Sequence, residues 1–127
     1  MSFKNNKNIG NTALGVAISY FTNIDCCVSI PLNDTQDYDL IVDFEHRLQK
    51  IQVKGTSQKS RYGISIVHLN SIGGRYGKTY KTLINTDIDY LFVVTNDLIK
   101  YLIPKQDIKN KYSINLNKTY DKYIVNY

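Results

Sequence analysis

Two short strand-like runs, 38–43 (YDLIVD) and 48–54 (LQKIQVK), flank a polar turn around Glu45-His46. A period of two marks strands whose two faces differ in environment. With the turn centred between Glu45 and His46, Leu40 stands opposite Ile51, Val42 opposite Gln49, Asp39 opposite Gln52 and Tyr38 opposite Val53. One face of the hairpin then carries Tyr38, Leu40, Val42, Ile51 and Val53 and belongs to the core. The other carries Asp37, Asp39, Ile41, Lys50, Gln52 and Lys54. A slip of one residue in either strand would turn the apolar set to solvent and scatter the polar one, so the register is strongly specified.

The rest of the chain supplies elements to pack against this hairpin. Residues 1–9 are polar and expected to be frayed or loosely docked. Asn11 or Thr12 caps a predicted helix running to about Asn23, with Leu14, Ala17, Ile18 and Phe21 at helical spacing and Ala13 and Tyr20 beside them. Gly15 inside that helix is expected to allow close packing against a sheet. A short strand is predicted over 26–31, ending at Pro31, with turn chemistry at 33–36. Further strands are expected near 63–70, 89–95 (the buried run DYLFVVT) and 99–103, with small ones at 113–116 and 123–125. Between them lie a Gly-rich basic loop, 71–81, and a short helical turn from Pro104 through Ile108. This order predicts an α/β (α+β) domain with a mainly strand-built core. At 127 residues the whole chain, 1–127, is expected to form one domain.

Composition excludes several function classes. No apolar run approaches the roughly 18–20 residues of a membrane span, so no membrane role is expected. The only cysteines, Cys26 and Cys27, are adjacent, which argues against a disulfide framework or a Cys-type zinc site and for a cytoplasmic setting. No HExxH or P-loop pattern occurs, and Gly77-Lys78-Thr79 matches only the last three P-loop positions. His46 and His68 read as structural. Eleven Tyr, no Trp and abundant Asn, Lys and Ile suggest an AT-rich gene, such as that of a phage, a virus or an AT-rich bacterium.

The net charge of +5 is modest, but its distribution is not even. Asp25, Asp34, Asp37, Asp39, Asp43 and Glu45 precede a tract from Arg47 to Lys81 that holds only basic charges. An acidic cluster beside a basic tract suits a carboxylate metal site facing a polyanion. Asp39, Gln52 and Lys54 suit phosphodiester hydrolysis in particular. A hard cation such as Mg²⁺ (or Mn²⁺) needs few protein oxygens: the Asp39 carboxylate, the Gln52 amide and the Val53 carbonyl can supply them. Lys54 can orient or help deprotonate a water and stabilise the pentavalent phosphate. Lys59, Arg61, Arg75, Tyr76, Lys78 and Lys81 are the predicted DNA contacts.

The ordered set of a helix with Gly15, Val28-Ser29-Ile30-Pro31, Tyr38-Asp39-Leu40-Ile41-Val42-Asp43 and Ile51-Gln52-Val53-Lys54-Gly55-Thr56 resembles the PD-(D/E)XK nuclease superfamily. It is closest to the small Q-x-K group of group I intron homing endonucleases and related bacterial and phage endonucleases. The runs at 89–94 and 101–104 fit that group's continuation, so the resemblance covers about residues 10–105. It implies a restriction-endonuclease-like core, a central mixed sheet flanked by helices. It also implies Mg²⁺-dependent DNA cleavage by Asp39, Gln52 and Lys54, and a homodimer or higher homo-oligomer, since cutting both strands takes two sites. One departure stands out: the first helix lacks the carboxylate that many members carry there, which makes Asp34 and Asp37 the candidate compensating acids. The alternatives are a non-catalytic nucleic-acid-binding module on the same fold, as in a phage regulatory or anti-defence protein, and a Holliday-junction resolvase.

Overall fold

The computed structural model describes residues 6–33, 35–69, 71–73, 79–81, 86–109 and 112–126; of 6, 7, 71–73 and 79–81 only the backbone is described. The first element is helix α1 (Asn6–Asn23), which starts several residues before the Asn11 or Thr12 cap that its composition suggests. Tertiary contact explains the extension: Ile9, in that first part, sits directly over Gly55. Packing of this kind, rather than propensity, stabilises most helices in proteins. The helix ends in a Schellman cap. Asp25 takes the left-handed conformation (φ 63°), with the Cys26 N–H bonded to the Phe21 carbonyl and the Asp25 N–H to the Thr22 carbonyl, each at 3.0 Å.

Among the described residues ten strands follow: β1 (Cys27–Ser29), β2 (Leu40–Phe44), β3 (Arg47–Thr56), β4 (Ile66–His68), β5 (Ser71–Gly73), β6 (Thr79–Lys81), β7 (Tyr90–Thr95), β8 (Lys100–Pro104), β9 (Ser113–Asn115) and β10 (Ile124–Val125). Six form a mixed sheet in the order β1-β2-β3-β7-β8-β10, antiparallel throughout except for the parallel pair β3–β7. The hairpin register is the expected one, with Leu40 opposite Ile51 and Val42 opposite Gln49. Its two turn residues, Glu45 and His46, both have positive φ (56° and 66°). The predicted loop over 71–81 has paired ends, β5 and β6. The small strands expected in the tail also form: β9 pairs with β4, and β10 closes the main sheet against β8.

The sheet is covered on both faces. Ala13, Ala17, Tyr20 and Phe21 of α1 pack on Leu40, Val42, Ile51, Phe92 and Val94. The helix therefore buries a stripe centred on two alanines, with Leu14 and Ile18 half-buried at its flanks. Small side chains at the centre bring the helix backbone close to the strands. Gly15 has no part in that approach: it is exposed, and a Cβ there meets nothing within 4 Å. The intimate glycine lies on the sheet instead. A Cβ on Gly55 would stand 2.6 Å from Ile9 Cγ2 and 2.9 Å from the Ile9 carbonyl oxygen.

The opposite face packs Leu91, Val93, Tyr101 and Ile103 under Val67, Leu69, Ile114 and Tyr120. β7 contributes to both cores, which is why it reads as an unbroken apolar run. Tyr38 packs on this second side, not on the α1 side expected from strict alternation. The reason is that β2 begins only at Leu40; the chain bends at 36–37 and again at Asp39, so the period of two does not reach Tyr38.

Candidate active site

The site grows out of unequal strand lengths. β3 runs ten residues, but β2 pairs only with its first five, to Ile51. Beyond that point β3 keeps β7 on one side, in register through Thr56, and among the described residues no strand pairs with its other edge. Asp39 stands at the step. Its backbone N–H donates to the Ile51 carbonyl at 2.8 Å, and its Oδ2 accepts the Val53 N–H at 2.7 Å. The carboxylate thus replaces the missing strand for one rung. In a β-strand the N–H and C=O of one residue point to the same edge. The Val53 carbonyl therefore opens toward the edge that Asp39 occupies.

Gln52 and Lys54 flank Val53 and project to the face away from α1. Their parallel partners, Leu91 and Val93, belong to the second core, so this face is not the solvated one that a polar strand face suggests. Gln52 is 93% buried, and its Oε1 has no hydrogen-bond partner among the described residues. Burying an amide oxygen unpaired costs about 1–3 kcal/mol. Lys54 is half-buried, and desolvation depresses its pKa, with the Asp39 charge opposing. Asp39 shifts the other way. Protein packed behind its otherwise exposed carboxyl raises its pKa, against the Val53 N–H and Lys54, which lower it. Each of the pair is thus driven toward its neutral form by its surroundings and held toward its charged form by the other.

Two depressions meet this edge. Asp39 lines a pocket of about 170 Å³ with Leu14, Pro31, Asn33, Gln36 and Tyr38. Lys54 lines a groove of about 310 Å³ that continues past Thr56 and Ser57 to Gln58 and His68. His68, read from sequence as structural, is exposed on β4 and its Nε2 lies 2.7 Å from Gln58 Oε1. The inward side chains of Val67 and Leu69 are the sequence signal that places His68 outward.

The remaining predicted residues divide. Asp37 Oδ2 accepts the Asp87 N–H at 2.9 Å, tying the approach to β2 to the approach to β7. Asp34 lies outside the described residues, as do Arg75, Tyr76 and Lys78; Lys81 is placed on β6 by its backbone alone. Lys59 forms an exposed ion pair with Asp97 at 3.2 Å. Arg61 lies over the ring of Tyr62, 5.6 Å from its centroid, in an exposed turn. No three His, Cys, Asp or Glu side chains converge as a metal cluster among the described residues.

The sequence profile of a family described as PD-(D/E)XK endonuclease matches residues 4–123. Among solved structures, that of a bacterial homing endonuclease, I-Ssp6803I, is similar, with a TM-score of 0.73 and 25% identity over 98% of this chain and 88% of that one. No curated protein matches the sequence.

Proposed function

Because the chain belongs to the PD-(D/E)XK endonuclease family, we propose that it is a divalent-metal-dependent DNA endonuclease of the homing type, working as a homodimer or larger homo-oligomer. The homing character follows the structural likeness. The whole chain acts as one nuclease unit. The observation that carries the reading is the Gln52 Oε1, buried with no partner among the described residues, next to Val53 in the chain and two positions from Lys54. Neutral and anionic oxygens are what Mg²⁺ or Mn²⁺ requires, and Asp39, Gln52 and the Val53 carbonyl form a fitting donor set.

A bound cation at these oxygens supplies neutralisation of the phosphate and a water of lowered pKa. The chain's own residues do the rest. Asp39 fixes the edge by holding the Val53 N–H, so the carboxylate and the backbone carbonyl keep one relative position. Lys54, its pKa lowered by desolvation, is suited to exchange a proton with the attacking water. In its charged form the ammonium offsets the charge that builds on the phosphoryl oxygens as the water oxygen bonds to phosphorus and the P–O ester bond breaks.

The test is incubation of purified protein with supercoiled plasmid and Mg²⁺. Wild type nicks it; Asp39→Asn and Lys54→Met do not. Failure to cut any DNA, with salt-dependent DNA binding intact, sinks the enzyme reading. It would favour the second reading, a DNA-binding module on the same fold, which the engagement of Asp37 with the Asp87 N–H supports. That module predicts DNA affinity indifferent to Mg²⁺ and unchanged by Asp39→Asn.

A further inference from the structure

The groove that starts at Lys54 runs away from Asp39, along the end of β3 and over β4. Its wall is tightly built. Thr56 Oγ1 is engaged twice, donating to the Ile66 carbonyl and accepting the Gln58 N–H at 3.2 Å. The Gln58 carbonyl accepts the Ile66 N–H at 2.9 Å. Both backbone groups of Gln58 are therefore fixed, and its side chain rises from an anchored position. That side chain is held as well. An amide oxygen only accepts, so the contact between Gln58 Oε1 and His68 Nε2 places the proton on the imidazole. With its oxygen taken by His68, Gln58 keeps its NH₂ for a ligand, and both residues line the groove.

The groove is thus lined by Gln58, Ser57 and Lys54, residues that carry an amide NH₂, a hydroxyl and an ammonium. None of the described residues that line it is a carboxylate. Donors beside a single cation are the chemistry with which proteins hold DNA phosphates, and such contacts fix the register of the duplex on the protein. Resting on the endonuclease reading, we infer that this groove is a subsite for a backbone phosphate next to the cleaved bond. Gln58 binds the phosphate, and His68 is a positioning residue that acts through Gln58.

Affinity for a short fluorescein-labelled duplex, measured by anisotropy in EDTA, isolates the subsite from cleavage. Gln58→Ala weakens binding about fivefold, the effect of one hydrogen bond. His68→Phe weakens it similarly, and the double variant is little worse than either, because the two act as a unit. His68→Gln, which keeps a donor for the Gln58 oxygen, restores most of the affinity. Gln58→Glu, placing a carboxylate against the phosphate, binds weakest. All these side chains are exposed, and thermal unfolding confirms that each variant is folded. Wild-type affinity in Gln58→Ala overturns the subsite. Additive losses in the double variant, or no rescue by His68→Gln, overturn the role of His68. A plasmid cut normally with Gln58 inert rejects the subsite and leaves the endonuclease reading standing; an uncut plasmid with Gln58-dependent binding rejects cleavage, and with it the subsite's place beside a cleaved bond, and keeps only the phosphate contact.

Discussion

A single methyl group, added at three glycines, should act with opposite signs. At Gly55 an added Cβ would stand 2.6 Å from Ile9 Cγ2, 2.9 Å from the Ile9 carbonyl oxygen and 3.1 Å from Ala13 Cβ. Carbon atoms in contact prefer about 3.5–4.0 Å. The Ile9 methyl can rotate away, but the carbonyl oxygen belongs to the helix backbone and Ala13 Cβ has no freedom to move. Relief requires lifting α1 off β3, which loosens Ala13, Ala17 and Phe21 together. Overpacking of this kind costs about 1–3 kcal/mol, and a backbone obstacle puts Gly55→Ala in the upper half of that range. At Gly10 and Gly15 nothing lies within 4 Å of the new methyl, and both are helical. There the change only removes the entropic penalty of glycine, a gain of about 0.5–1 kcal/mol each. Urea denaturation with the slope m held as a control reads these differences directly. In thermal unfolding Gly55→Ala should lower Tm by about 6–12 °C, and Gly15→Ala should raise it by about 2–4 °C. Equal stability of Gly55→Ala and wild type, or a loss at Gly15 matching that at Gly55, would refute the packing argument.

Three further outcomes follow from particular contacts. Gln52→Met removes a buried, unpartnered oxygen; it should stabilise the metal-free protein by about 1 kcal/mol while abolishing both cleavage and any rise of Tm with Mg²⁺. A fall in metal-free Tm would count against it. Glu45 and His46 occupy a two-residue turn with positive φ at both positions, so Glu45→Asn with His46→Gly should add about 1–2 kcal/mol without altering cleavage; an unchanged urea midpoint would argue otherwise. The Tyr123 hydroxyl, held by its hydrogen bond to Asp107 at 2.7 Å, has its pKa pushed up to about 12. Between the ordinary tyrosine pKa of about 10 and that value, the folded chain keeps a proton that the unfolded chain has lost, so stability falls as pH rises. Tyr123→Phe should flatten that part of the decline when urea midpoints are compared at about pH 9 and about pH 11.5; an equally steep decline would refute the assignment.

Much of the fold is written locally. The hairpin register is carried by Leu40, Val42 and Ile51 because only one alignment buries all three. β7 announces itself as buried because it serves two cores. The family is likewise legible, since the ordered motifs from the first helix to the Gln-Val-Lys end of the hairpin are a sequence property, and the profile match extends over 4–123. Tyr38 and Gly15 mark the limit of such reading. Alternation assigns a face only while the backbone stays extended, and the bend before Leu40 ends that. A glycine in a helix shows only that no side chain is needed there; whether another element approaches it is a matter of packing.

What the sequence determined by itself is which residues share a strand and a face: Gln52 and Lys54 are two apart in β3, and no later contact can separate them. What tertiary structure decided is the environment they meet. The second core covers their face and desolvates Lys54. The early end of β2 leaves an edge for the Asp39 carboxylate to fill. β4 brings His68 to Gln58 across ten positions of chain. Faces follow from the two-residue period of a strand, a local property. Burial, pairing edges and the company of a side chain depend on elements far away in sequence, and only folding brings those together.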